Sequence, residues 1–350
     1  MTYQSGGAVH PQGSGSTRLV IVDDSVTMRA LVRRSVESDN RFAVVGEANH
    51  PIEARRMLAA LNPDLLTLDI QMPHMDGLTF LDQIMRQRPL PVVMISAETP
   101  DGSDAALEAL SRGAVDCIGK SELSGQSSLA HFADRLAAAA KAKRQCSRAG
   151  QRPPVPVGDY YWNGRYVLIG ASTGGVEALE RILSQIPANG PPTVICQHMP
   201  APFLARFSAR LDAHIAPKVQ VASDRMPILP GNVYLAPGGV HNLLIEGVVQ
   251  PLCRLVRSTD ACPSVDVMFG SARPIARRVL AVLLTGMGQD GAAQMLRLRQ
   301  SGAYCMTQDE DSSVIYGMPK AALKLGAADE AVHLSQVARR ILTITGRSVM

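Results

Sequence analysis

A serine, a histidine and an aspartate each follow an apolar run in the C-terminal half of this chain. Ser172 lies in GASTGG (residues 170–175), His198 follows the run TVICQ, and Asp290 lies in GMGQDG after the run LAVLLT. If the runs are parallel strands, their carboxyl ends share one edge of the sheet. A hydroxyl nucleophile, an imidazole base and a carboxylate that orients the base are the parts of a nucleophilic hydrolase.

Each of these three residues also has a structural interpretation. Ser172 and Asp290 are suited to cap helices, and His198 to be an ordinary loop residue. The glycines suit a dinucleotide loop, but their spacing is not that of the dinucleotide fingerprint. Residues 170–174 also fit the G-x-S-x-G turn of α/β-hydrolases, in which the catalytic acid precedes the histidine in the sequence. Here the histidine comes first, which indicates a separate arrangement of the same roles.

A second group of polar residues follows apolar runs in the N-terminal half. Asp23 and Asp24 end the first run, Asp69 the third and Ser96 the fourth, and Lys120 follows the fifth. Three converging carboxylates repel one another unless a hard cation such as Mg²⁺ joins them. Asp69 is then a candidate phosphoryl acceptor, with Lys120 and Ser96 as partners for phosphoryl oxygens. The structural alternative is that the acids cap strand ends and turns.

Alternating apolar runs and amphipathic stretches position both groups. Continuous apolar strands between helices are typical of parallel sheets that are covered on both faces. We predict an α/β fold with two doubly wound, mainly parallel-sheet domains: one flavodoxin-like, the other Rossmann-like with a β-hairpin insertion at 231–255. The predicted segments are a flexible tail at 1–17, a first domain at 18–140, a linker at 141–164 and a second domain at 165–350.

Composition excludes several classes of protein. The 350 residues carry a net charge of +4, which gives no support to nucleic acid as the main partner. No apolar run reaches about 18 residues, so we expect no membrane insertion. The N-terminus lacks the basic start and apolar core of a secretory signal. The six cysteines form no C-x-x-C pair, which argues against zinc and favours a reducing, cytoplasmic location.

The first domain resembles the receiver domain of two-component response regulators. The resemblance is carried by VDDS at 22–25 and by LDIQMPHMDG at 68–77. It implies phosphorylation of Asp69 by a phosphohistidine on a partner kinase. It also implies Mg²⁺ held by Asp24, Asp69 and the Gln71 carbonyl, with Asp23 nearby. The chain departs from the family at two positions, where Cys117 replaces an aromatic residue and Ser121 replaces a proline.

The second domain resembles the chemotaxis protein-glutamate methylesterase (CheB) family. The motifs are IGASTGG at 169–175, QHMP at 197–200, PSVDVMF at 263–269, TGMGQDG at 285–291 and YGMP at 316–319. The family implies hydrolysis of glutamyl methyl esters on chemoreceptors, without a cofactor, and deamidation of receptor glutamines. It places Thr173 and the Met287 backbone near the reaction centre. It further implies a chemotaxis histidine kinase as phosphodonor and a receiver that covers the cleft until it is phosphorylated.

Two other functions remain as alternatives. One is a response regulator whose second domain binds DNA or protein, but residues 166–350 contain no basic recognition helix. The other is a general hydrolase of small esters. Activity on a small ester and on a methylated receptor distinguishes these alternatives.

Overall fold

The computed structural model describes residues 16–73, 75–97, 100–123, 126–142, 160–260 and 262–347. The predicted tail lies outside these ranges except for its last two residues, and Thr17 already begins the first strand. Most of the predicted linker, residues 143–159, also lies outside them. The flexible tail and the linker therefore stay predictions.

The first unit is a five-stranded parallel sheet with strand order β2-β1-β3-β4-β5, which is the flavodoxin-like order. β3 (LLTLD) and β4 (VVMIS) are buried along their whole length because helices cover both faces. The predicted fold of this half is confirmed. Its elements are β1 (Thr17–Val22), α1 (Val26–Glu37), β2 (Phe42–Ala48), α2 (Pro51–Leu61), β3 (Leu65–Asp69), α3 (Gly77–Gln87), β4 (Val92–Ser96), α4 (Pro100–Ser111), β5 (Asp116–Gly119) and α5 (Gln126–Ala140).

The second unit is a seven-stranded parallel sheet with strand order β15-β14-β13-β6-β7-β10-β8, beside a small three-stranded sheet. The predicted doubly wound α/β class is confirmed here too. Its elements are β6 (Tyr166–Ala171), α6 (Gly175–Leu183), β7 (Thr193–Gln197), α7 (Ala201–His214), β8 (Lys218–Val221), β9 (Met226–Pro227), β10 (Asn232–Leu235), β11 (His241–Glu246), β12 (Leu252–Arg257), α8 (Val265–Ser271), β13 (Val279–Leu283), α9 (Ala292–Gln300), β14 (Tyr304–Gln308), α10 (Met318–Lys324), β15 (Glu330–Val332) and α11 (Leu334–Thr345).

The second unit differs from the sequence prediction in two places. The stretch 231–255 does not form one insertion, because β10 pairs in parallel with β7 and β8 while β11 and β12 form the antiparallel hairpin. The sequence pattern of residues 265–278 predicts one helix, but α8 ends at Ser271 and the 3₁₀ segment Arg273–Arg278 follows it. Pro274 explains the break, because proline has no N–H to continue the helix.

The two units pack against each other through α4 of the first and α6 and α7 of the second. Leu107 on α4 joins the apolar core of the second unit. Phe203 on α7 and Met199 pack against the apolar core of the first unit. An ion pair between Asp104 and Arg206, at 3.7 Å, lies in the same contact. The first unit therefore contacts the segment that directly follows His198.

The chain enters the second unit at Tyr160. The Tyr160 hydroxyl donates to the Thr345 carbonyl at 3.0 Å, and the Asn163 amide donates to the same carbonyl at 2.9 Å. Residues 160–164 of the predicted linker therefore pack on the C-terminal helix. In the part of the chain described, no helix has the length and apolar character needed to span a membrane.

Candidate active site and phosphorylation site

The carboxyl ends of three neighbouring strands bring Ser172, His198 and Asp290 together. Strands β13, β6 and β7 lie side by side, and the three residues follow β13, β6 and β7 in the order Asp290, Ser172 and His198. The strand order reverses beside β6, where open α/β sheets bind ligands. All three residues line one cavity of about 1080 Å³. The predicted convergence at one edge of the sheet is what the structure shows.

Asp290 accepts four hydrogen bonds and also caps a helix. Its Oδ2 accepts from His198 Nε2 at 2.8 Å and from the Val265 amide at 2.8 Å. Its Oδ1 accepts from the Ser264 hydroxyl at 3.1 Å and from the Asp266 amide at 2.8 Å. Residues 264–266 begin α8, so the positive end of that helix faces the carboxylate.

These contacts set the charge of Asp290. Burial alone raises the pKa of this carboxyl, but the His198 contact and the amides of Asp266 and Val265 outweigh burial, so its pKa lies below the ordinary value. Asp290 therefore stays ionised throughout the neutral range. Sequence reasoning gave Asp290 its role but gave none to Ser264, whose position before the helical stretch VDVMF offered no catalytic signal.

The orientation of the His198 ring assigns its two nitrogens. Because Nε2 contacts the Asp290 carboxylate, it carries the proton, and Nδ1 is the basic atom left for the serine. The Ser172 hydroxyl makes no hydrogen bond to any residue within the described ranges. The Ser172 amide donates to the Thr285 carbonyl at 3.0 Å, which fixes the nucleophile turn against the end of β13.

Asp23, Asp24 and Asp69 form the predicted acidic cluster at the carboxyl edge of the first sheet. One carboxylate oxygen from each lies within 4.8 Å of the others. Burial and the neighbouring Asp69 charge raise the pKa of Asp23 to about 6. Burial also raises the pKa of Asp69, although Lys120 opposes this with its Nζ 3.0 Å from Asp69 Oδ1.

The oxygen-rich cluster fits a hard divalent cation. Asp23 Oδ2 and Asp69 Oδ2 are buried and accept no hydrogen bond from the described residues. A buried anionic oxygen without a donor needs a compensating charge. Gln71 lies two residues after Asp69 on the loop to α3, and Ser96 ends β4, the strand next to β3. The predicted site residues of this half thus lie at one edge of the sheet.

Comparison with known proteins agrees with both sites. The profile of the CheB methylesterase family matches residues 167–341, and that of the response regulator receiver domain matches residues 19–128. The chain is 45% identical, over 95% of its length and 97% of theirs, to proteins of Rhizobium johnstonii and Rhizobium etli named protein-glutamate methylesterase/protein-glutamine glutaminase. This chain belongs to the CheB methylesterase family.

A solved structure supports the fold of the second half. The CheB methylesterase catalytic domain of Thermotoga maritima is similar over 52% of this chain and all of its own, with 31% identity and a TM-score of 0.50. We therefore name the described residues up to 142 the receiver unit and those from 160 the esterase unit. The alignment with the Rhizobium johnstonii protein extends over both units of this chain.

Gln197 is a residue of the esterase unit that sequence reasoning left without a role. It is buried at the end of β7, and its Nε2 donates to the Ser172 carbonyl at 2.9 Å and to the His198 carbonyl at 3.1 Å. One amide group thus joins the nucleophile turn to the loop of the base. Its place in the QHMP motif, directly before His198, was the sequence signal for it.

Two backbone amides are candidates to stabilise an oxyanion. The Ser172 amide is already used, whereas the amides of Thr173 and Met287 have no acceptor among the residues described, and both residues line the cavity. The residue after the nucleophile and a neighbouring loop supply such donors in other serine hydrolases. Gly286 lets the Met287 loop approach, because a Cβ at Gly286 would lie 2.7 Å from the Cβ of Ser172.

The receiver unit forms one wall of this cavity. Asp116 and Arg135 of the receiver unit line it together with Ser172 and His198 of the esterase unit. The Thr173 hydroxyl donates to Asp116 Oδ2 at 3.2 Å across the two units. In this arrangement the receiver unit reaches the residue next to the nucleophile, which sequence reasoning did not predict for Asp116.

Proposed function

We propose that this chain is a phosphorylation-activated protein-glutamate methylesterase. It hydrolyses glutamyl methyl esters on chemoreceptors, releases methanol and deamidates receptor glutamines. The His198–Asp290 pair at the mouth of the Ser172 turn carries this proposal, because it supplies a base and its charge partner at the nucleophile. The names of relatives that align over nearly their full length support the substrate class.

The proposed reaction has two steps on the same three side chains. In the first, His198 Nδ1 takes the Ser172 proton as the oxygen attacks the ester carbonyl, and the amides of Thr173 and Met287 donate to the oxyanion. The intermediate collapses as His198 protonates the leaving methanol. In the second, His198 takes a proton from water as the water attacks the glutamyl-serine ester, and it returns a proton to the Ser172 oxygen as glutamate is released. Ammonia replaces methanol as the leaving group when the substrate is glutamine.

Asp290 lowers the energy of the charged intermediate states. It is ionised and lies 2.8 Å from His198 Nε2, so it stabilises the imidazolium that forms in each step. Its three further donors keep the carboxylate in place without movement during the reaction. A preorganised partner of this kind avoids the reorganisation that solvent would require.

Control is proposed to come from the receiver unit. A phosphohistidine of a chemotaxis histidine kinase transfers its phosphoryl group to Asp69, and Ser96 and Lys120 contact the phosphoryl oxygens. Asp24, Asp69 and the Gln71 carbonyl would hold Mg²⁺, with Asp23 nearby, and the ion would supply positive charge beside the phosphoryl group. Without phosphorylation, the receiver unit restricts access to the cavity whose wall it forms.

The proposed domain limits are residues 18–140 and 165–350 with a linker at 141–164, of which residues 160–164 pack on the esterase unit. The proposed location is the cytoplasm. Free cysteines at five described positions, four of them buried, support a reducing compartment. We propose that this chain has no nucleic-acid partner and does not insert into a membrane.

Methanol release from a methylated chemoreceptor tests the function. The wild type with a small-molecule phosphodonor should release methanol, and Ser172→Ala should abolish release. Ser184→Ala is the matched control, because Ser184 is exposed at the end of α6 and should leave the rate unchanged. Asp69→Ala should remove only the effect of the phosphodonor.

The same assay separates the alternatives. Hydrolysis of a small ester without methanol release from the receptor would favour a general hydrolase. No hydrolysis of either substrate by the phosphorylated wild type would favour a binding module and contradict the proposed function.

A further inference from the structure

A carboxylate of the receiver unit lies next to the catalytic serine. Asp116 Oδ2 is 3.2 Å from the hydroxyl oxygen of Thr173, the residue that follows Ser172. Asp116 and Thr173 are each only 7% exposed, and both line the cavity that holds the catalytic residues. The contact therefore lies inside the cleft and not at the rim of the interface.

The hydrogen bonds of Asp116 show which partner donates. Arg135 Nε donates to Oδ2 at 2.9 Å, and Arg135 Nη2 donates to Oδ1 at 2.8 Å. The Cys117 amide also donates to Oδ1 at 2.8 Å. Asp116 is thus an acceptor at both oxygens, as an ionised carboxylate is, and the Thr173 hydroxyl must be the donor.

Thr173 is fixed in position to make this bond. Its carbonyl accepts from the Thr285 hydroxyl at 3.0 Å, and the same hydroxyl accepts from the Ile315 amide at 2.9 Å. The Thr173 side chain therefore presents one donor from a rigid turn, beside the serine at which the product forms. The group that this donor holds in the structure is a carboxylate.

The product of the proposed reaction carries the same group. Hydrolysis at Ser172 leaves a glutamate side chain, whose carboxylate forms beside Thr173. We propose, on the basis of the proposed function, that the Thr173 hydroxyl is a subsite for a carboxyl oxygen of the glutamyl side chain. Asp116 fills this subsite as a product mimic while the receiver unit covers the cleft.

The strand that carries Asp116 also leads to the phosphorylation site. Lys120 directly follows β5, and its Nζ lies 3.0 Å from Asp69 Oδ1. Four residues of extended strand span about 13 Å, so Asp116 and Lys120 are joined by one short, stiff segment. A phosphoryl group on Asp69 gives Lys120 a new partner, and β5 conveys a shift of Lys120 to Asp116.

Binding of the product tests the subsite without requiring catalysis. The probe is a peptide with the unmethylated glutamate of a chemoreceptor methylation segment, and its twin has norvaline in place of that glutamate. Calorimetry on the full chain should show that Asp116→Ala binds the glutamate peptide about tenfold more tightly than the wild type, because a hydrogen bond to a charged group no longer competes. The norvaline peptide should gain less than twofold.

Matched variants separate the subsite from the interface. Asp104→Asn breaks the Asp104–Arg206 ion pair of the same interface, outside the cavity, and should change glutamate-peptide binding less than twofold. Thr173→Val added to Asp116→Ala should remove the tenfold gain. Asp116→Asn keeps the side-chain volume and loses the charge, so it should show a gain of several fold even if the alanine variant does not fold.

Two results would overturn the inference. Equal binding of the glutamate peptide by the wild type, Asp116→Ala and Asp116→Asn would show that Asp116 fills no product subsite. Equal gains for the glutamate and norvaline peptides would show that Asp116 only holds the receiver unit in place. A failure of the proposed function is separate, because it appears as absent methanol release by the phosphorylated wild type while the peptide result stands.

Discussion

Replacing Asp290 by asparagine tests the catalytic geometry most directly. Each carboxylate oxygen of Asp290 accepts two hydrogen bonds, so the amide of asparagine cannot reproduce the pattern in either orientation. If the asparagine NH₂ group takes the Oδ2 position, it faces the Val265 N–H, which is also a donor. It can then donate to His198 Nε2 only if the ring proton is on Nδ1. That tautomer cannot accept the Ser172 proton. With its NH₂ group at Oδ1, it leaves the Asp266 N–H without an acceptor.

The structure sets the size of both effects. One unpaired N–H at the start of α8 costs about 1–3 kcal/mol of unfolding free energy. Activity falls further, by about 10³-fold or more in kcat, because the imidazolium loses its ionised partner or the ring takes the wrong tautomer. Asp266→Asn is the matched control: its carboxylate accepts from the Gln294 amide at 3.1 Å and does not contact His198. We expect the control to keep kcat within about threefold of the wild type.

Methanol release and urea denaturation of the same preparations give the two numbers. The pKa of Asp290 is lower in the folded chain than its ordinary value of about 3.9. Its charge therefore stabilises the fold above pH 4, and this contribution is lost as the pH falls through the folded pKa. The difference in unfolding free energy between wild type and Asp290→Asn should be largest at pH 7 and smaller at pH 3. A folded Asp290→Asn protein with a kcat within threefold of the wild type would refute this account of the base.

Three further changes have definite expected results. Gln197→Glu puts a carboxylate oxygen against the carbonyls of Ser172 and His198. We expect the free energy of unfolding, measured by urea titration, to fall by about 1–3 kcal/mol and kcat to fall as well. The control Gln197→Met should retain more stability in the same titration. Gly286→Ala would place a Cβ 2.7 Å from the Ser172 Cβ. Labelling of the serine by a fluorophosphonate should therefore slow by about tenfold or more, and an unchanged labelling rate would contradict the packing described. Chelation of divalent cations with EDTA should prevent phosphorylation of Asp69 by a small phosphodonor, which phosphoprotein electrophoresis measures. Ester hydrolysis without the phosphodonor, measured as methanol release, should be unaltered.

The sequence alone determined the fold class, the strand ends and the chemistry-bearing residues. Buried parallel strands must be continuously apolar, so their limits and the polar residues after them are local features that can be read directly from the chain. Ser172, His198 and Asp290 each follow such a strand. The family motifs then supplied roles for Thr173 and Met287 that spacing did not.

Only the tertiary structure decided the contacts that the order of the strand ends does not predict. Asp290 caps α8 through the Asp266 amide, 24 residues away in the sequence. Asp116 contacts Thr173, which is 57 residues away and in the other unit. The pairing of β10 with the main sheet also depended on its neighbours, because its four residues fit a hairpin and a parallel sheet equally well. Hydrogen bonds of this kind follow from the packing of whole elements, and no local pattern of residues specifies them.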